Sequence, residues 1–134
     1  MLIKTPKGND AEVIYSNIGI PTDGIFLLYQ GYTVDAHVTI QPHLEDDAGL
    51  LAHELTHVDQ YYEYYLFGSR YKWWRSFRFS MESEAFAAQL FVNGNAFELK
   101  NYACELSTKY DIRKSNKVCA DSIYKQYKRM VKNV

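Results

Sequence analysis

The run His53-Glu54-Leu55-Thr56-His57 is an H-E-x-x-H pattern. On a helix, the i,i+4 spacing turns both imidazoles onto one face about a turn apart, so both can reach a single ion. Zinc suits such a pair, and Glu54 projects toward the same cleft without being needed as a ligand. The chemistry this permits is hydrolysis. Water with its pKa lowered toward about 7 by the ion attacks a polarised peptide carbonyl, and Glu54 takes the proton as general base. Glu54 then hands that proton to the leaving amine.

Two imidazoles leave the shell incomplete, since a catalytic site needs a third protein ligand and an open position. Met81-Glu82-Ser83-Glu84-Ala85 opens an apolar stretch, where carboxylates are costly unless they pair or bind metal. An acidic first turn favouring the helix dipole accounts for one of the two acids, so Glu82 and Glu84 both stand as candidates. The oxyanion of a tetrahedral intermediate needs a donor besides the ion, and the candidates are Tyr61, Tyr64 and His37. His37 and His43 have no helical spacing to the pair and read as ordinary surface residues rather than ligands.

H-E-x-x-H followed by a glutamate on a second helix resembles the gluzincin zinc metallopeptidases, the thermolysin-like group, and above all their minimal members. Gln60 extends the motif to H-E-x-x-H-x-x-Q, which is similar to small bacterial and phage-associated domains of that type. The resemblance covers roughly residues 33–91. It implies that Glu82 is the third ligand, through Glu82-Ser83-Glu84-Ala85 as an E-x-x-A motif, with Glu84 as the alternative because it begins a second such frame through Ala87. It also implies an edge strand beside the zinc helix that pairs with an extended peptide substrate. Phe86 stands where the family often carries an aspartate that supports a zinc histidine, so that support must come from Asp59, Asp35 or a backbone carbonyl. Tyr61 and Tyr64 occupy the region of a third histidine, which excludes the metzincin pattern.

These residues need elements to hold them. Val34, Ala36, Val38 and Ile40 alternate with polar residues, so residues 33–40 read as a half-buried strand ended by Pro42. The apolar run at residues 25–29 is expected to pair with it over a turn near Gln30-Gly31. Leu51, Leu55, Val58, Tyr62 and Tyr65 form the stripe of an amphipathic helix beginning near Asp46 and stopping at Gly68. Residues 69–80 show no clean period and read as a link. Residues 81–93 read as a buried helix, and 96–109 and 117–132 as two more. The aromatics Tyr61, Tyr62, Tyr64, Tyr65, Trp73 and Trp74 are expected mostly in helix packing.

The chain has 134 residues, 47% of them hydrophobic and 23% charged, which suits one globular domain spanning 1–134 and excludes a disordered chain. A net charge of −1 gives no global case for a nucleic-acid or membrane partner. The basic segment after Arg113 reads as the solvated face of a terminal helix. Cys104 and Cys119 read as buried thiols, with one disulfide as the alternative in an exported chain. No stretch is long and apolar enough for a membrane span or a signal peptide, so the expectation is a cytoplasmic protein or one carried by a phage or secretion particle. The expected whole is a minimal zincin-like α+β fold: a small antiparallel sheet packed on the H-E-x-x-H helix, with a helical C-terminal half. The expected function is zinc-dependent hydrolysis of a peptide or protein substrate. The rival is a non-catalytic zinc protein in which the same ligands staple helices together, and the retention of Glu54 counts against it.

Overall fold

The computed structural model describes residues 1–18, 20–21, 29–95 and 97–133. Among the described residues four strands lead into five α-helices: β1 (Leu2–Lys4), β2 (Asp10–Tyr15), β3 (Gly31–Val34), β4 (His37–Ile40), α1 (Ala48–Glu63), α2 (Phe67–Trp73), α3 (Arg75–Asn93), α4 (Glu98–Lys109) and α5 (Asn116–Lys132). The architecture is α+β with a helical C-terminal half. The sheet runs β1-β2-β4-β3. It is mixed rather than wholly antiparallel, because β2 and β4 pair in parallel while β1/β2 and β3/β4 are antiparallel.

The strand expected over residues 33–40 is in fact a hairpin. The chain reverses at Asp35-Ala36, with Asp35 in the left-handed region at φ 54°, which a short polar side chain tolerates better than most. Val34 pairs with His37 across this two-residue turn, so the alternation of apolar and polar residues carries on through it unbroken. Among the described residues β3 is an edge strand of the sheet, and the run at residues 25–29 expected to pair with residues 33–40 lies, but for Tyr29, outside the described residues.

Asp47 caps α1 by accepting from the Leu50 N–H at 2.9 Å. The helix stops at Glu63, five residues before Gly68. Tyr64 is extended and Leu66 takes the left-handed conformation at φ 53°, so α2 starts within the span expected for the first helix, takes in Gly68 and runs into the stretch expected as a link. α3 also begins earlier than expected, at Arg75, and ends where Gly94, left-handed at φ 65°, caps it. Because α1 ends early, Tyr65 falls off its stripe. Tyr61, Tyr62, Tyr65, Trp73 and Trp74 are exposed rather than packed, Tyr65 and Trp73 by 81% and 79%.

Two apolar clusters flank a polar seam. One joins Ala11, Val13, Val38 and Ile40 of the sheet to Leu50, Leu55 and Val58 of α1. The other joins Phe86, Ala87 and Leu90 of α3 to α4 and α5 through Tyr102, Leu106, Cys119 and Ile123. Cys119 is buried, Cys104 is exposed, and both are free thiols, so Cys104 departs from the buried reading. α1 gives its apolar residues to the sheet and its His53, His57 and Gln60 stripe, spaced 4 and 3, to α3. α3 answers with Glu82, Phe86 and Gln89 at the same spacing. Ser83, Ala85 and Ala87 are fully buried small residues that let α3 lie close against its neighbours.

Candidate metal centre

His53, His57 and Glu82 meet in this seam, each buried, with one donor atom apiece all within 4.8 Å of one another. Glu82 Oε1 lies 3.2 Å from His53 Nε2, and Glu82 Oε2 lies 3.0 Å from His57 Nε2. A tetrahedral shell with bonds of about 2.0–2.1 Å spaces its donors by roughly 3.3 Å, close to each of these two contacts, which use different oxygens of Glu82. Two imidazole nitrogens and one carboxylate oxygen are a donor set that fits a metal ion and leaves a position open. Glu84 does not join them. It accepts from Gln60 Nε2 at 2.9 Å and is the half-buried neighbour of the cluster rather than part of it.

Both imidazoles are held from behind by amides. Gln89 Oε1 lies 3.1 Å from His53 Nδ1, and Gln60 Oε1 lies 2.8 Å from His57 Nδ1. With an acceptor on Nδ1, each ring presents Nε2 to the centre. Asp59 and Asp35, the acids expected in this role, point elsewhere. Asp59 is gripped by the Thr5 hydroxyl, by the Asn9 amide at 2.8 Å and by the Lys7 N–H at 3.4 Å, and Asp35 occupies the β3–β4 turn. Phe86, where the family pattern has an acid, stands edge-on to the His53 ring at 4.5 Å and fixes it by packing instead.

Burial opposes a charge on His57, but Glu82 beside it, helped by Glu54 and Gln60, overrides that and raises its pKa to about 9. Burial alone would raise the Glu82 carboxyl. The two histidines outweigh it and hold Glu82 far below the usual carboxylate range. Without an ion, then, the centre is held together by imidazolium and carboxylate, and an ion entering it takes the place of a proton.

A cleft of about 670 Å³ opens on the cluster. β3 from Gly31 to Val34 borders it, with Phe67, Tyr71 and Lys72 from α2 and Tyr110 beyond α4, and His53, Glu54, His57 and Glu82 line it as well. Glu54 is 5% exposed and its Oε1 accepts from the Thr33 hydroxyl at 2.9 Å. Tyr71 donates to Glu82 Oε2 at 2.5 Å. Burial, then the charge of Glu82, pushes the Tyr71 phenol well above its ordinary value, and the same two causes raise Tyr110. Both therefore stay protonated at neutral pH.

Tyr61, Tyr64 and His37, expected as oxyanion donors, are not among the residues that line this cleft. Tyr64 packs on Phe77 beneath Arg70, Tyr61 stacks edge-on to Tyr62, and His37 lies exposed on β4. His43 is exposed in a single 3-10 turn, Pro42–Leu44, away from the cluster.

An eCIS core domain family model matches residues 28–64. The matched segment contains β3, β4 and α1, hence the edge strand and the whole H-E-x-x-H-x-x-Q run, and stops short of α3 and Glu82. No curated protein and no solved structure matches the chain.

Sequence reasoning missed Gln89, Tyr71, Tyr110, Thr33 and Arg78. Gln89 carried a signal: it stands seven residues after Glu82, two turns along the same face of α3. Arg78 carried none that spacing could reveal. Its guanidinium donates to the carbonyls of Tyr71, Lys72, Tyr110 and Asp111 at 2.7–3.0 Å, tying the end of α2 to the end of α4 on either side of the cleft.

Proposed function

We propose that this chain is a zinc-dependent peptidase associated with an extracellular contractile injection particle. The observation that carries the catalytic part is Glu54. It is a buried carboxylate beside the His53, His57 and Glu82 donors, unused by them, and it faces a cleft bordered by an edge strand. A purely structural metal site has no use for that group. The match to the eCIS core domain family supports the particle context, through the injection systems its name refers to.

His53, His57 and Glu82 would hold the ion, which supplies a Lewis acid for the substrate carbonyl and lowers the pKa of water toward about 7. The chain's own residues do the rest. The edge of β3, which no other described strand covers, would take an extended peptide by strand addition and so read shape more than sequence. Glu54, oriented by Thr33, accepts the proton of the attacking water and returns it to the departing amine. Tyr110, protonated and on the cleft wall, is the donor available to the charge that develops on the carbonyl oxygen, while Tyr71 spends its one proton on Glu82 Oε2.

Elemental analysis of wild type and Glu54→Gln, with cleavage of an unstructured protein by each, tests the reading. Stoichiometric zinc in both with cleavage lost only in the variant is the expected result. Zinc in both and cleavage by neither would replace the peptidase with the reading in which the same donors only staple α1 to α3. Absence of zinc from both would overturn the metal centre itself.

A further inference from the structure

Gln60 is fully buried, and every polar atom of its side chain is committed. Nε2 lies 3.0 Å from the Met81 carbonyl and 2.9 Å from Glu84 Oε1, and Oε1 lies 2.8 Å from His57 Nδ1. A carbonyl and a carboxylate can only accept, so the amide nitrogen must face α3 and use both its hydrogens there. The amide oxygen is thereby forced toward His57, whose Nδ1 must then donate. An imidazole that donates from Nδ1 has its free lone pair on Nε2, the atom 3.0 Å from Glu82 Oε2. If Gln60 were free to rotate, its nitrogen could face His57 instead and favour the opposite tautomer, with the lone pair turned away from the centre.

We infer that Glu84 is a positioning residue for the metal centre: through Gln60 it fixes the tautomer and orientation in which His57 binds an ion. The inference rests on the metal-centre reading above. It also accounts for two acids so close together at a buried turn of α3. Glu82 enters the donor set, and Glu84 locks the amide that supports one of the other donors. His53 lacks this reinforcement among the described residues, because its Gln89 has no second partner of the same kind.

Zinc affinity, measured by competition with a chelating dye on wild type, Glu84→Ala, Glu84→Gln and Gln60→Ala, tests it alongside thermal melting of each protein in EDTA. Partners of metal ligands typically contribute ten- to hundredfold in affinity. Glu84→Ala is expected to weaken zinc binding by roughly tenfold, as Gln60→Ala does, while Glu84→Gln binds nearly as wild type because its amide oxygen still accepts from Gln60. Glu84→Gln as weak as Glu84→Ala would mean that Glu84 acts by its charge alone, and would overturn the inference. So would a Glu84→Ala protein that melts earlier but binds zinc as wild type, since Glu84 would then serve only the fold. Wild type that binds no zinc would remove the metal centre, and is distinguishable from either result because it precedes any comparison of variants.

Discussion

Thr33 Oγ1, on the edge strand β3, donates to Glu54 Oε1 on α1 at 2.9 Å and lies 3.3 Å from the Glu54 carbonyl. The proposed base is thus fastened to the strand that would receive the substrate. Thr33→Val keeps the shape and removes the hydroxyl. A hydrogen bond to a charged group contributes about 1.5–3 kcal/mol, so kcat/KM for peptide cleavage should fall roughly ten- to hundredfold. Zinc content should not change. A loss of zinc with the loss of rate would show that Thr33 supports the fold of the centre rather than Glu54.

Gly31, two residues earlier on the same strand, has no room to spare on this side. A Cβ there would lie 3.1–3.2 Å from the Glu54 side chain. Gly31→Ala should therefore displace the carboxylate and lower cleavage while leaving zinc bound. A variant as active as wild type would show that Glu54 yields without consequence.

Removing the third donor has a different signature. Glu82→Ala should purify without stoichiometric zinc, whereas Tyr71→Phe, which removes only the hydroxyl that donates to Glu82 Oε2, should keep it and lose rate as Glu82 loosens. Elemental analysis of the two variants side by side separates a ligand from its partner.

Protons hold the metal-free centre together, and the sign of their effect follows from the two shifted groups. His57 rises from 6.5 to about 9, so its contribution is complete below 6.5 and is lost as pH climbs through about 9. Glu82 is lowered from 4.5, so its contribution is complete above 4.5 and is lost as pH falls well below that value. In EDTA, the melting temperature of wild type relative to Glu82→Gln should be highest between about pH 4.5 and 6.5 and should converge on the variant's by about pH 10. A gap that widens with pH would contradict the pairing.

Much of this centre was legible in the chain because one number fixes it. A spacing of four on a helix puts His53 and His57 on one face whatever surrounds them, and the stripe at Leu51, Leu55 and Val58 said which way the helix lies. Glu82 was reached as one of two costly acids opening an apolar stretch and was preferred over Glu84 only through family likeness, since its distance in sequence from His57 carries no geometry. Gln60 was visible as a letter in a motif, but its task was not, because that task exists only once α1 and α3 cross and bring Met81 and Glu84 against it. The β3–β4 hairpin was hidden by its own regularity, as a two-residue turn preserves the alternation that marks a strand. α2 escaped for the opposite reason: it begins at a left-handed leucine rather than a glycine, and Phe67 and Tyr71 are held by ring contacts with His57, Phe77 and each other.

Asp59 sits two residues beyond His57, yet its partners Thr5, Lys7 and Asn9 come from the link between β1 and β2, fifty or more positions away. Closing a loop of that span costs the chain entropy, and this clasp holds it closed. The turn of α1 that carries His57 is thus moored to a segment outside the centre, so a change at Thr5 or Asn9 reaches the donors without touching them.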